Sequence, residues 1–168
     1  MQTPDASPIS RHLLTPLAHL ATLTAGAALV AMAGVEAWQV FARYVLNHSP
    51  GWTEPVALLL LSTAMSLGAA SGVRGASHFG FFILVQSSPP TLRRLLQTFS
   101  NLVVAAISAA LMLWSIELFA DGISVPMAGT VLPQGTAFLP MAVGAALMTV
   151  FALERAFAPA PIVAQGES

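Results

Sequence analysis

Apolar residues fall in four long runs along the chain. Residues 12–35, 55–73, 95–116 and 122–153 contain no Asp, Glu, Lys or Arg. A helix rising 1.5 Å per residue needs about 20 residues to cross a hydrocarbon core of roughly 30 Å, so each run predicts a membrane-spanning helix. The predicted bounds are residues 13–46, 55–73, 91–118 and 136–157. The first is extended past its apolar run because "VEAWQVFARYVL" keeps apolar residues at helical spacing, with Glu36, Val40 and Arg43 on one stripe. The last is set back by Pro126 and Pro133, with Pro140 placed in its opening turn, where proline is tolerated.

Between the second and third runs lies "RGASHFGFFILVQ". "HFGFFILV" is too short to span a bilayer and too apolar to lie free in water, which predicts an interfacial helix over residues 76–86. Phe79, Phe81, Phe82 and Ile83 are expected to enter lipid or a partner, while Arg74 and His78 stay at headgroup level. Ser88 and Pro89 suit the start of the next helix. The expected class is thus an all-α membrane protein: a single domain of four transmembrane helices with an interfacial helix between the second and third.

Composition supports this solvent. Of 168 residues, 56% are hydrophobic and only 8% charged, against about 25% charged in a soluble domain. The basic residues also give an orientation. Arg11, Arg74, Arg93, Arg94 and Arg155 lie on one side of the predicted membrane and only Arg43 on the other, so the positive-inside rule predicts that both termini are cytoplasmic. Trp38, Tyr44 and Trp52 then form an aromatic belt on the outer side, with Glu36, Glu54, Glu117 and Asp121. The first run with "AMA" at 31–33 imitates a signal peptide, but its apolar stretch is longer than a usual signal core, so it is expected to be retained.

Chemistry is sparse. A net charge of −1 with no lysine offers no basic stripe for nucleic acid. The absence of cysteine removes thiol redox chemistry and thiolate metal sites. His78 has no acid near it in sequence and no second histidine at helical spacing, and only His19 lies within a predicted span, which argues against a metal or haem site. No catalytic residue, cofactor or metal is expected. Ion and proton pathways normally carry ionisable groups at bilayer depth, and these spans carry no Asp, Glu, Lys or Arg there, so the chain is not expected to translocate anything alone. No internal repeat of the kind found in self-sufficient transporters is present. Ala64, Gly68 and Gly72, and Ala105, Ala106, Ala109 and Ala110, stand at spacings that allow close helix packing.

The order of "RYVLNHSPGWTEPVALLLL", "SLGAASGVRGASHFGFFILVQSSPPTLRRLLQ" and "VLPQGTAFLPMAVGAALM" resembles the small membrane (DctQ-like) subunit of tripartite ATP-independent periplasmic, or TRAP, transporters over about residues 15–157. The matching positions are Arg43 and Tyr44, Trp52 and Glu54, Arg74 and His78, Arg93 and Arg94, and Pro133, Pro140 and Gly144. The chain departs from the pattern where Pro55 replaces a second acid and where the Gly-x-His element is stretched to "GASH".

The resemblance implies a bacterial inner-membrane subunit that scaffolds a large multi-helix permease subunit. Its other partners would be a periplasmic solute-binding protein and membrane lipid, and the system would perform sodium-coupled uptake of an organic acid. Arg43, Tyr44, Trp52, Glu54, Arg74, His78, Phe81 and Phe82 are the candidate partner-interface residues. Arg43 is expected to pair with Glu54, buried against the large subunit. The competing readings are a stand-alone small exporter and a membrane adaptor.

Overall fold

The computed structural model describes residues 8–75 and 90–157. Among these residues are four α-helices: α1 Pro8–Tyr44, α2 Thr53–Gly75, α3 Pro90–Gly122 and α4 Leu139–Phe157. A short 3-10 helix, Gln134–Phe138, leads into α4. All four helices are long and apolar enough to cross a membrane, over Leu14–Tyr44, Thr53–Arg74, Leu95–Gly122 and Gln134–Phe157. The described residues form no strand; their one β-bridge joins Pro126 and Pro133. The predicted interfacial helix over residues 76–86 lies outside the described residues.

Helix ends depart from the apolar runs for local reasons. Residues 134–138 wind as a 3-10 turn, so the α-helix proper begins at Leu139 with Pro140 in its first turn, where a missing N–H costs nothing. α2 begins at Thr53 because the Thr53 hydroxyl, fully buried, donates to the Pro50 carbonyl at 2.9 Å and fixes the turn before it. α1 stops at Tyr44, where Val45 N–H donates to Phe41 O and His48 N–H to Ala42 O, and Asn47 takes a left-handed conformation at φ 50°. Asparagine tolerates that region better than most side chains.

The helices pack in the order α1, α2, α4, α3. α1 packs on α2, α2 on α4, and α4 on α3, with no comparable interface between α1 and α3. Ser108 meets Thr149 and Gly122 meets Gly135, so α3 and α4 are antiparallel. Ser66 meets Gly144 and Val73 meets Arg155, so α2 and α4 run in the same direction. The start of α1 and the ends of α2 and α4 therefore meet at one end of the row, which α3 also enters with its first turns.

Small residues make these seams. Ala70, Val73, Ala105, Phe151 and Ala152 form one buried cluster, and Ala21, Ala25 and Leu67 a second. Within α2's small-residue row Ala64 is buried and Gly68 faces Ala25; of the alanines in α3, Ala105 is buried but Ala106 is exposed. Lipid tails are as apolar as leucine, so close contact between small side chains, rather than escape from water, holds such helices together. Gly144 illustrates the demand. A Cβ there would lie 2.5 Å from Ser66 Cβ and 2.7 Å from its carbonyl carbon. The Ser66 hydroxyl uses the proximity to donate to Pro140 O at 2.9 Å.

Candidate functional site

The end of the row where α2 and α4 finish is tied by arginine. α2 ends with carbonyls that have no intrahelical partner. Arg155, from the last turn of α4, donates from Nη1 to Val73 O at 3.0 Å and to Arg74 O at 2.8 Å. Arg74 reaches the other way: its Nη2 donates to Thr15 Oγ1 of α1 at 3.0 Å, and its guanidinium carbon lies 5.4 Å from the ring centre of buried Phe151. Such a distance allows a cation–π attraction. Arg74 Nη1 stands 3.7 Å from Glu154 Oε2, an ion-pair contact too long for a hydrogen bond, and that nitrogen is buried with no hydrogen-bond partner. Three helices are thereby joined through side chains spaced 59 to 82 residues apart in sequence.

The opposite end carries Arg43, Tyr44, Trp52 and Glu54, all exposed. The expected Arg43–Glu54 pair is absent: among the described residues the one ion pair is Arg74–Glu154. The reason is angular. Ala42 is the residue of that turn that faces inward, at 1% exposure, and its neighbour Arg43 is carried about 100° round the helix, onto the exposed side. Trp52 accepts from Val56 N–H at 3.2 Å, starting α2's ladder with its own side chain outward.

The eight predicted interface residues thus fall in two separate places. Arg43, Tyr44, Trp52 and Glu54 share one end, while Arg74 is 20 residues of α2 away from Glu54, roughly 30 Å. His78, Phe81 and Phe82 lie outside the described residues. Sequence reasoning missed Thr15, Glu154 and Arg155 as partners of Arg74 and of α2's end. The available signal was the acid–base dipeptide Glu154–Arg155 closing an apolar run, but its target depends on which helix lies beside α4.

Between the two ends the buried polar groups answer one another. Ser108 and Thr149 share a hydrogen bond at 2.9 Å across the α3–α4 seam, and each also donates to, or lies within reach of, a carbonyl one turn back. Ser115 donates to Leu111 O. Among the described residues no three His, Cys, Asp or Glu side chains gather as metal ligands do. Outside the seams the helices expose apolar side chains along their length, among them Leu23, Val30, Met65, Ile107 and Trp114.

A long apolar surface, charged ties at one end and interior hydroxyls bonded within the bundle suit a membrane subunit. The family model of the DctQ component of tripartite ATP-independent periplasmic transporters matches residues 32–161. No curated protein matches the chain, so the assignment rests on that family model and on the four helices. The match covers more than half of the chain, and the protein belongs to the DctQ family, the small membrane component of TRAP transporters.

Proposed function

We propose that this chain is a non-translocating scaffold, holding the large permease subunit of a TRAP system in the membrane during sodium-coupled, binding-protein-dependent uptake of an organic acid. One observation carries the reading. The row of helices hydrogen-bonds its interior hydroxyls to itself and exposes apolar side chains on α1 and α3, the two outermost helices. A subunit of this kind offers surface for packing and no ionisable group in the middle of its spans to carry an ion or proton.

The partners follow from the family: a large multi-helix permease subunit and a periplasmic solute-binding protein. Their organic-acid cargo is likewise a property of the family rather than of any residue here. The arginine-tied end faces the cytoplasm in this proposal, supported by Arg11, Arg74, Arg93, Arg94 and Arg155 against the single Arg43. The acidic and aromatic rim with Arg43, Tyr44, Trp52 and Glu54 then faces the periplasm, where it is available to a partner. Residues 76–86 would lie along the cytoplasmic interface, with Phe81 and Phe82 in lipid or against the permease and His78 at headgroup level.

Co-purification tests the reading. With an affinity tag on this chain, the large subunit encoded alongside it should be retained through mild detergent extraction. Recovery of the tagged chain free of the large subunit, both being present in the membrane, would contradict the proposal.

A further inference from the structure

The connection from α3 to α4 does not rise clear of the helices it joins. α4 opens at Leu139, and the next residue, Pro140, already accepts from Ser66, which also lies against Gly144. Ser66 is 66 − 53 = 13 residues along α2 from Thr53, where that helix and its membrane span begin. Those residues measure roughly 20 Å along the axis. α4 therefore starts deep beside α2, and residues 123–138 occupy the outer end of the row next to α2's first turns. The 3-10 helix packs on α2 as well as on α3. Gly129, at φ +81°, lies directly against Gly51, just before α2, and Gly135 lies against Phe119 and Gly122 at the end of α3.

Backbone that leaves water for the interfacial layer must pair much of its own polar surface. Met127 N–H donates to Leu132 O at 3.0 Å and Gln134 N–H to Val125 O at 2.8 Å, framing the bridge between Pro126 and Pro133, two residues with no N–H to satisfy. Thr130 N–H donates to Met127 O, and Leu132 N–H to Thr130 Oγ1. No charged residue occurs anywhere from 122 to 153. The large side chains that point away are apolar, Val131 being fully exposed and Ile123, Val125 and Leu132 exposed, with Ser124 the one exposed hydroxyl among residues 123–133.

We propose that residues 123–133 form a lipid-inserted hairpin, with Val131 and Leu132 in the interfacial layer of the leaflet at the Glu54 end. It completes the apolar girdle of the subunit where α4 stops short of α2. Lipid is the occupant because the hairpin carries no charge of its own and follows α3 past the exposed Trp114 and Leu118, while the exposed Glu117 and Asp121 on the same stripe suit the headgroup level beside it. The inference rests on α2 and α3 spanning the membrane and is independent of the scaffold reading.

The absence of cysteine makes a direct test possible. Val131→Cys in the full chain, carrying a nitroxide and reconstituted in phosphatidylethanolamine–phosphatidylglycerol vesicles, is compared with Ser49→Cys in the exposed α1–α2 connection. Collisions with dissolved oxygen should exceed those with a water-soluble nickel chelate at position 131, and the ratio should reverse at position 49. Leu132→Cys should follow position 131. The same ratio should persist after assembly with the large subunit. Nickel accessibility at 131 and 132 equal to that at 49 would place the hairpin in water and overturn the proposal. Loss of both collisions on assembly would overturn it in favour of a protein contact.

Discussion

Arg155 of α4 donates to the main-chain carbonyl of Arg74 at 2.8 Å, closing the end of a helix to which it is not covalently adjacent. A side chain from one span thus does for another what a capping residue usually does within it. The pairing requires α2 and α4 to be neighbours running in the same direction, and it fixes their relative height.

Arg155→Ala leaves two terminal carbonyls of α2 without their charged donor. The expected loss is about 1–3 kcal/mol of stability for the purified subunit. Arg155→Lys should recover part of it, since an ammonium also donates to terminal carbonyls but cannot present a planar fork. Thermal unfolding in detergent measures this; an unchanged midpoint for Arg155→Ala would mean that water replaces the guanidinium without loss.

Arg74 holds α1 through Thr15 and α4 through Phe151, while its ion pair with Glu154 is long and the two side chains are 21% and 20% exposed. A partly solvated pair at 3.7 Å should contribute no more than about 1 kcal/mol. Arg74→Ala should cost more, roughly 1–3 kcal/mol, from the lost hydrogen bond and ring contact together. The same unfolding assay on Arg74→Ala and Glu154→Gln should rank them in that order. The reverse order would make the ion pair the principal tie.

Gly144→Ala forces a methyl group into the Ser66 backbone, whereas a Cβ at Gly26 or Gly34 meets nothing within 4 Å. Gly144→Ala should therefore destabilise the isolated subunit by about 1–3 kcal/mol. Gly26→Ala and Gly34→Ala should be neutral or slightly stabilising, because alanine is the better helix former by roughly 1 kcal/mol. If either α1 variant is stable alone yet fails to bind the large subunit, that face of α1 is a contact.

How much of this could be read in advance depends on whether a feature is a property of one segment or of two. Four charge-free runs sufficed to find four spans, because length and apolarity act within a single helix. The tie between Arg155 and α2 was hidden, since it requires the order α1, α2, α4, α3, which no local pattern encodes. The Arg43–Glu54 pair looked economical from the short connection between α1 and α2. It is not formed within this chain, because Ala42 packs inward and Arg43 is carried to the exposed side. Hydrophobic periodicity also could not tell that Phe119–Gly122 prolong α3 past residue 118, which rests on their contact with Gly135.

Orientation is checked by accessibility. Gly129 is unsuitable for an introduced side chain, with φ +81° and Gly51 pressed against it. Ser49→Cys, exposed beyond α1, reports on the end proposed to face outward. In intact cells an impermeant maleimide should label Ser49→Cys, and should label Ser7→Cys, Ser87→Cys and Ser168→Cys only after lysis. Labelling of Ser87→Cys before lysis would overturn the proposed topology.

The scaffold account is tested most directly by sodium-driven uptake into proteoliposomes, using the ligand carried by the system's own binding protein. This chain alone, under an inward sodium gradient, should take up nothing above empty vesicles, and uptake should appear when the large subunit and the binding protein are added. Saturable, sodium-dependent uptake by this chain alone would contradict the account.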